Sequence, residues 1–291
     1  MDLIEKKLLK DFLPETVEAF KEYNLIDDPL FTKAAEDKKF CEEILRTILG
    51  DPELVVVRNT PQAKLQNLKG RSVVLDALCR LKGGVMVDIE VQKTDNDDHL
   101  RRVRYNGAAL TTNITKTGTK FCEVPNVIII FISTFDIFKD GYALYHVDKI
   151  VRESSRKVED GLEEIYVNSA VKDGSKVSEL MKLFVDFKAY NKDEFPVVSE
   201  SKRFYKETEE GARAMCEITE KYGKKLYKKG EAQGFAEGEA SGIAKGKSKG
   251  ILFTLKNMMR NLGLTADKAL DVCEVPTNER SFYLEKLKEV K

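Results

Sequence analysis

The stretch "VMVDIEVQK", Val85 to Lys93, alternates with period two. Val85, Val87, Ile89 and Val91 face one way, and Met86, Asp88, Glu90 and Gln92 the other. Such alternation predicts a strand with one buried face. The unusual feature is its second face, which lines two carboxylates and an amide along a strand central to the fold. Just upstream, "SVVLDALCRL" (Ser72–Leu81) alternates too, with Leu75, Ala77, Cys79 and Leu81 on one face and Asp76, Leu78 and Arg80 on the other. Lys82-Gly83-Gly84 between them suits a three-residue hairpin loop. Pairing Leu81 with Val85 sets Asp76 opposite Glu90 on one face, with Cβ atoms roughly 4.5–5.5 Å apart. A two-residue loop opposes Asp76 to Val91 and mixes the faces, so the apolar pattern selects the first register.

Directly opposed carboxylates repel, and something must compensate. One answer is a nearby base: Arg80, Arg101 or Arg102. The other is a divalent cation. Mg²⁺ takes one or two protein carboxylates, keeps several waters and completes its shell with phosphate oxygens. It lowers the pKa of bound water and neutralises charge developing on a phosphate. Asp76, Glu90 and the backbone carbonyl of Val91 are the candidate ligands, with Gln92 one step along the same face. Asp88, toward the other end of the strand, is expected to matter less.

Outward from the hairpin, residues 1–24 carry a helical apolar pattern, and "IDDP" (Ile26–Pro29) opens a second helix whose stripe runs from Phe31 to Leu49. Short strands are expected at Leu54–Val57 and about Leu65–Leu68, a helix over about Asp97–Ile114, a strand at "NVIIIFIS" (Asn126–Ser133) buried on both faces, another at "GYALYHV" (Gly141–Val147), and helices beyond Ser175. The implied class is α/β, a mixed sheet with helices packed on it. Residues 25–195 are taken as the core, 196–229 as a helical connector, 230–250 as a separate segment and 251–291 as C-terminal helices.

That segment, "GEAQGFAEGEASGIAKGKSKG", places glycine at every fourth position from Gly230 to Gly250. Each helical glycine costs about 0.8–1.0 kcal/mol against alanine. It reads either as a flexible linker or as a marginal helix whose small-residue stripe a partner helix approaches, which makes a homo-oligomer through the tail the expected partner.

Overall charge gives no sign of a nucleic-acid partner: 49 acidic residues balance 49 basic ones. Its distribution is uneven. Residues 1–57 hold 14 acids against 8 bases, and residues 222–260 hold 3 acids against 9 bases. The basic tail suits either phosphate backbones or a solvated lysine face. The five cysteines form no CxxC pair, so neither a zinc cluster nor a disulfide framework is indicated. The longest aliphatic-aromatic run, Val127–Ile132, is too short to cross a bilayer. The charged start, "MDLIEKKLLKDF", is unlike a signal peptide, and a cytoplasmic protein is expected.

Leu75-Asp76, thirteen intervening residues, then Glu90-Val91-Gln92 resembles the PD-(D/E)XK nuclease superfamily. The wider pattern is similar to its recombination-promoting nucleases, described as PD-(D/E)XK family transposases. "DDPLFTKAAED" (Asp27–Asp37) looks like that branch's first core helix, "LKGRSVVLDALCRLKGGVMVDIEVQ" (Leu68–Gln92) like its hairpin, and "RRVRYNGAAL" (Arg101–Leu110) like its Arg-rich, Tyr-containing helix. The glycine-repeat tail is also similar. The resemblance implies a restriction-endonuclease-like core with a helical, glycine-repeat tail. It implies an Mg²⁺-dependent (or Mn²⁺-dependent) endodeoxyribonuclease acting on DNA, with Asp76, Glu90 and Gln92 catalytic and Asp76, Glu90 and the Val91 carbonyl on the metal. Two departures stand out. Leu75 replaces the motif's proline, and Gln92 stands where the superfamily name has lysine, although glutamine is usual in the branch. Neutral glutamine can orient a water but barely shifts charge. Lys93 projects to the opposite face. Arg102 and Tyr105, three apart on one helix face, are candidate DNA contacts; Arg102 pairing with Glu90 or Asp98 is the alternative. Glu43 is the candidate auxiliary acid, and Glu42 fits that place too. His99 and His146 are expected at surface or structural positions. A degenerate nuclease fold kept as a DNA-binding or protein-interaction module is the competing function.

Overall fold

A computed structural model describes residues 3–67 and 70–288. Met1, Asp2, Leu68, Lys69 and 289–291, over which the terminal helices and the strand at Leu65–Leu68 were expected to extend, lie outside the described residues. The chain divides into two units, Met1–Tyr222 and Gly223–Lys291.

In the first unit the hairpin forms as its alternation requires. Strand β2 (Val73–Leu81) pairs antiparallel with β3 (Met86–Gln92), with Ala77 opposite Ile89 and Arg80 opposite Met86. The loop closes through the Leu81 N–H on the Val85 carbonyl at 2.9 Å. Gly83 and Gly84 both hold positive φ, at 108° and 92°, where a side chain would be strained. A third strand, β1 (Val56–Leu65), pairs with β2 at the sheet edge. The two short strands expected at 54–57 and 65–68 are thus one strand, bulged between Val56 and Arg58. Its Pro61 is tolerated because the strand lies at an edge.

Beyond β3, helix α5 (His99–Ile114) leads to β4 (Val127–Ser133), parallel to β3. Strands β5 (Leu144–Val147) and β8 (Leu162–Asn168) complete a six-stranded mixed sheet in the order β1-β2-β3-β4-β8-β5, and a small hairpin of β6 (Ile150–Val151) and β7 (Arg156–Lys157) stands apart. The two-stranded excursion and β8 went unread in the sequence: "LEEIYVN" (Leu162–Asn168) alternates too weakly to show.

Helices cover both faces. On one lie α1 (Leu3–Leu8), α2 (Pro14–Lys21), α3 (Asp28–Ala34), α4 (Lys38–Leu49) and α6 (Lys176–Val185). The expected 1–24 helix is broken at Pro14, which occupies the first turn of α2, and the second expected helix divides where the Asp37 side chain caps α4. Into this face point Ala77, Cys79, Val87, Ile89 and Val91. On the other face α5 packs Val103 and Leu110 against Ile129, Phe131 and Tyr166. Gly107 permits the approach: a Cβ there would stand 3.1 Å from a Leu162 methyl. Strand β3 is therefore buried on both faces, not one as its alternation suggested, and its acidic side lies under α5.

Helix α7 (Pro196–Glu207) and the first residues of α8 (Glu209–Leu262) belong to this unit as well and pack Val198, Ala212, Met215, Cys216 and Ile218 on the core.

The second unit has its own small core, built on Leu255, Ala269, Leu270, Val275 and Tyr283 from α8, α9 (Ala266–Val272) and α10 (Thr277–Lys288). The glycine repeat is helical backbone within α8, and a Cβ at Gly238, Gly242, Gly246 or Gly250 would meet nothing within 4 Å.

Candidate active site

The β2–β3 ladder stops at Ala77–Ile89, one pair short of Asp76 and Glu90. There the side chains take over from the ladder. The Asp76 backbone N–H donates to Glu90 Oε1 at 3.1 Å, and the Val91 N–H donates to Asp76 Oδ2 at 3.0 Å. Each strand thus gives a backbone donor to the other strand's carboxylate. The Val91 carbonyl leaves its strand on the same side as the N–H, toward Asp76.

Glu90 is only 6% exposed, and Asp76 is partly buried. Burial first, and then neighbouring negative charge, pushes both carboxyls well above their usual range. For Asp76 those neighbours are Glu90 and Asp28; for Glu90, Asp88. The Val91 N–H and the charge of Arg102 work the other way on Asp76, as do the Asp76 N–H and Arg102 on Glu90.

Asp88 departs most from expectation. It is fully buried, and neither carboxylate oxygen has a hydrogen-bond partner. Glu90 and Asn106 lie close enough to act on it but out of hydrogen-bonding geometry, and burial holds its carboxyl well above the usual range. It is part of the acidic cluster, not the remote strand residue expected from its position.

Gln92 is half-buried at the end of β3. Its Oε1 accepts from Arg102 Nη1 at 2.7 Å, and its Nε2 donates to the Thr94 carbonyl at 2.7 Å. Arg102 also approaches Asp98 at 3.6 Å. Tyr105 turns elsewhere: its hydroxyl donates to the Arg71 carbonyl at 2.5 Å and accepts from Asn67 at 3.4 Å. The two α5 residues share a helix but not a set of partners. Lys93 is held by Asp27 at 2.9 Å.

Glu43 is not brought to this cluster. It accepts the Val197 and Val198 N–H groups at 3.2 and 2.7 Å and so caps α7, whose own N-cap residue, Phe195, provides no side-chain bond. Glu42 pairs with Arg46 at 2.9 Å and accepts the Val56 N–H. The further acid acting on Asp76 is Asp28, in the first turn of α3. Its signal was present in "IDDP", which was read only as a helix start. Gln62 was also missed. It holds φ at 49°, uncommon for a residue with a side chain, and its Nε2 reaches Asp76 Oδ1 at 3.4 Å and Thr32 Oγ1 at 3.3 Å. His99 is structural: it is buried against the Phe131 and Phe135 rings and bonded to Asp95.

The donor set fits a hard divalent cation. Asp76 and Glu90 face each other with one guanidinium acting on both, and Asp88 adds a third negative charge beside them whose oxygens receive no well-formed hydrogen bond. No group of three or more His, Cys, Asp or Glu side chains among the described residues is arranged to enclose a metal. Any ion would rest on one or two carboxylates, a carbonyl and water, which is how Mg²⁺ is commonly held.

A mixed sheet with an acidic pair at the splayed end of its central hairpin defines a restriction-endonuclease-like α/β fold. A family model described as PD-(D/E)XK nuclease family transposase matches residues 28–225, and the chain belongs to that family. Its function class is accordingly nuclease- or transposase-type, and PD-(D/E)XK nucleases generally use divalent metals. No curated protein and no solved structure matches. Among the described residues no helix is long and apolar enough to cross a membrane.

Proposed function

We propose that the protein is an Mg²⁺-dependent DNA endonuclease of the recombination-promoting type, with Mn²⁺ as a substitute ion, working in the cytoplasm. The observation that carries this reading is the opened end of the hairpin, where Asp76 and Glu90 exchange backbone donors beside buried Asp88. Asp76, Glu90 and the Val91 carbonyl would hold the ion, which when bound supplies an acidified water and charge for the phosphate. Gln92 orients the attacking water through its remaining amide hydrogen. Arg102 and Tyr105 on α5 border the DNA, and the basic part of α8 adds attraction to the backbone. The glycine-bearing face of α8, open at Gly238–Gly250, is the surface for a second copy.

One observation favours the competing reading of a binding module: both ends of the Gln92 amide are already engaged. Incubating supercoiled DNA with the protein and Mg²⁺, Mn²⁺ or EDTA separates the two. Nicking or linearisation that requires the metal and disappears in Asp76→Asn supports the nuclease. DNA binding without cleavage under any ion supports the module.

A further inference from the structure

Lysine is missing from the polar face of β3, and the nearest one in sequence is committed elsewhere. Lys93 Nζ is bound to Asp27 at 2.9 Å. The positive charge acting on both Asp76 and Glu90 comes instead from α5, through Arg102. Arg102 also makes the 2.7 Å bond to Gln92 Oε1. Because the Gln92 Nε2 is held by the Thr94 carbonyl at 2.7 Å, the amide is pinned at both ends, with its acceptor turned to the guanidinium. The Asp98 contact, at 3.6 Å, is long and leaves donors of the guanidinium fork free, and about a third of the Arg102 side chain is exposed.

We infer that Arg102 is a positioning residue that works as a pair with Gln92, the guanidinium supplying from α5 the charge that a neutral amide on β3 lacks. The division of labour is chemical. Glutamine holds a water but carries no charge; arginine carries a permanent charge but, because it stays protonated throughout the working pH range, is a poor carrier of a water's proton. Pinning one to the other holds a water-orienting amide and a cation side by side at the end of β3, where the cation acts on both carboxylates. The inference rests on the proposed phosphodiester hydrolysis and goes beyond a DNA-contact role for Arg102.

A contact to phosphate and a positioning role separate in measurement. Arg102→Met is expected to lower the single-turnover cleavage rate on the order of 10²-fold, as for loss of one preorganised group, while DNA affinity measured in Ca²⁺ falls less than about tenfold. Arg102→Lys, which keeps the charge without the fork, should recover part of the rate. In a Gln92→Lys background the same Arg102→Met change should cost only about threefold, since the lysine then provides the charge. Equal losses of rate and affinity would make Arg102 a DNA contact only, and equal losses in both backgrounds would show that the two residues act separately; either overturns the inference. Should the parent cut no DNA, the nuclease reading fails by itself, and the action of the Arg102 charge on the acidic pair, on which the inference stands, is still decided by melting the ion-free protein. Arg102→Met should then lower the Tm by about 2–4 °C in the parent and by less than half of that in an Asp76→Asn, Glu90→Gln background. The same shift in both backgrounds would overturn it.

Discussion

Among its described residues the first unit buries charge in two places, and it treats them oppositely. On α7, Lys202 is fully buried, yet its ammonium donates to the carbonyls of Leu183 and Asp186 at the end of α6 and of Ala189 in the turn that follows. Lys206, one turn on, donates to the carbonyls of Lys21 and Tyr23 at the end of α2 and lies over the Phe20 and Phe187 rings. Three ammonium protons meet three acceptors at Lys202, and cations sit where helix carbonyls need donors. Under α5 the reverse holds. Asp76, Asp88 and Glu90 crowd like charges together, and neither Asp88 oxygen receives a well-formed hydrogen bond. A buried group whose bonding is complete serves the fold. A buried group left short of partners is a place where a fold gives up stability for a task.

The largest effect should come from breaking the satisfied side. Lys202→Met keeps much of the side-chain volume and strands three carbonyls. A loss of about 3 kcal/mol is expected, since each unsatisfied buried group costs about 1–3 kcal/mol and relaxation recovers some. Urea unfolding of parent and variant at pH 7 measures it. A loss below about 1 kcal/mol would mean that water reaches these carbonyls and that the contrast between the two clusters is overdrawn.

The next effect lies on the functional side. Gln92→Ala should reduce metal-dependent cleavage on the order of 10²-fold, comparable to losing one preorganised donor, with stability nearly unchanged because Gln92 is at the rim. Gln92→Lys should keep part of the activity, since lysine still donates to water or phosphate. Cleavage rates under single-turnover conditions test both. An Asp76-dependent activity indifferent to Gln92→Ala would leave the acidic pair in place and remove Gln92 from the mechanism.

The residues differ in how readily they could be read. Asp76 and Glu90 were legible because a hairpin register is fixed locally, by period-two alternation and the length of one loop. Strand β4 was legible as a short continuous apolar run and α5 as a helix, whereas β8, its neighbour in the sheet, was not. What escaped was set by distant chain. Asp28 and Asp27 look alike in "IDDP", and only the placement of α3 turns Asp28 toward Asp76 while Asp27 takes Lys93. Glu43 and Glu42 offered two acids for one expected role, and both were claimed by backbone N–H groups, from α7 and β1, that no local pattern reveals. Asp88 looked peripheral because alternation says which face a residue takes but not what covers it; α5, admitted by Gly107, covers it. Glycine at every fourth position left helix and linker equally open, because propensity opposed a helix and the repeat itself favoured one.

The smallest effect is also the sharpest test of the contrast, because its sign is unusual. Burial and mutual repulsion raise the Asp76, Asp88 and Glu90 carboxyls in the folded protein, while in the unfolded chain they titrate near 4. Above that pH the folded state holds more protons than the unfolded one, so ion-free stability from these groups is full in acid and is lost as pH rises from about 4 toward the raised folded values. The lysines run the other way. Burial lowers Lys202 and Lys206 from 10.5 to about 8, so their contribution grows as pH rises from about 8 to 10.5. Melting the metal-free protein in EDTA between pH 4.5 and 8 isolates the acids. Asp76→Asn keeps an oxygen to accept the Val91 N–H and removes one charge from the cluster. It should raise ion-free stability at pH 8 by about 1 kcal/mol, with the gain shrinking toward pH 4.5, whereas added Mg²⁺ should stabilise the parent and leave the variant nearly unmoved. If Asp76→Asn instead destabilises the protein at every pH, Asp76 belongs with Lys202 as a satisfied structural partner, and the acidic cluster is not a site that gives up stability for an ion.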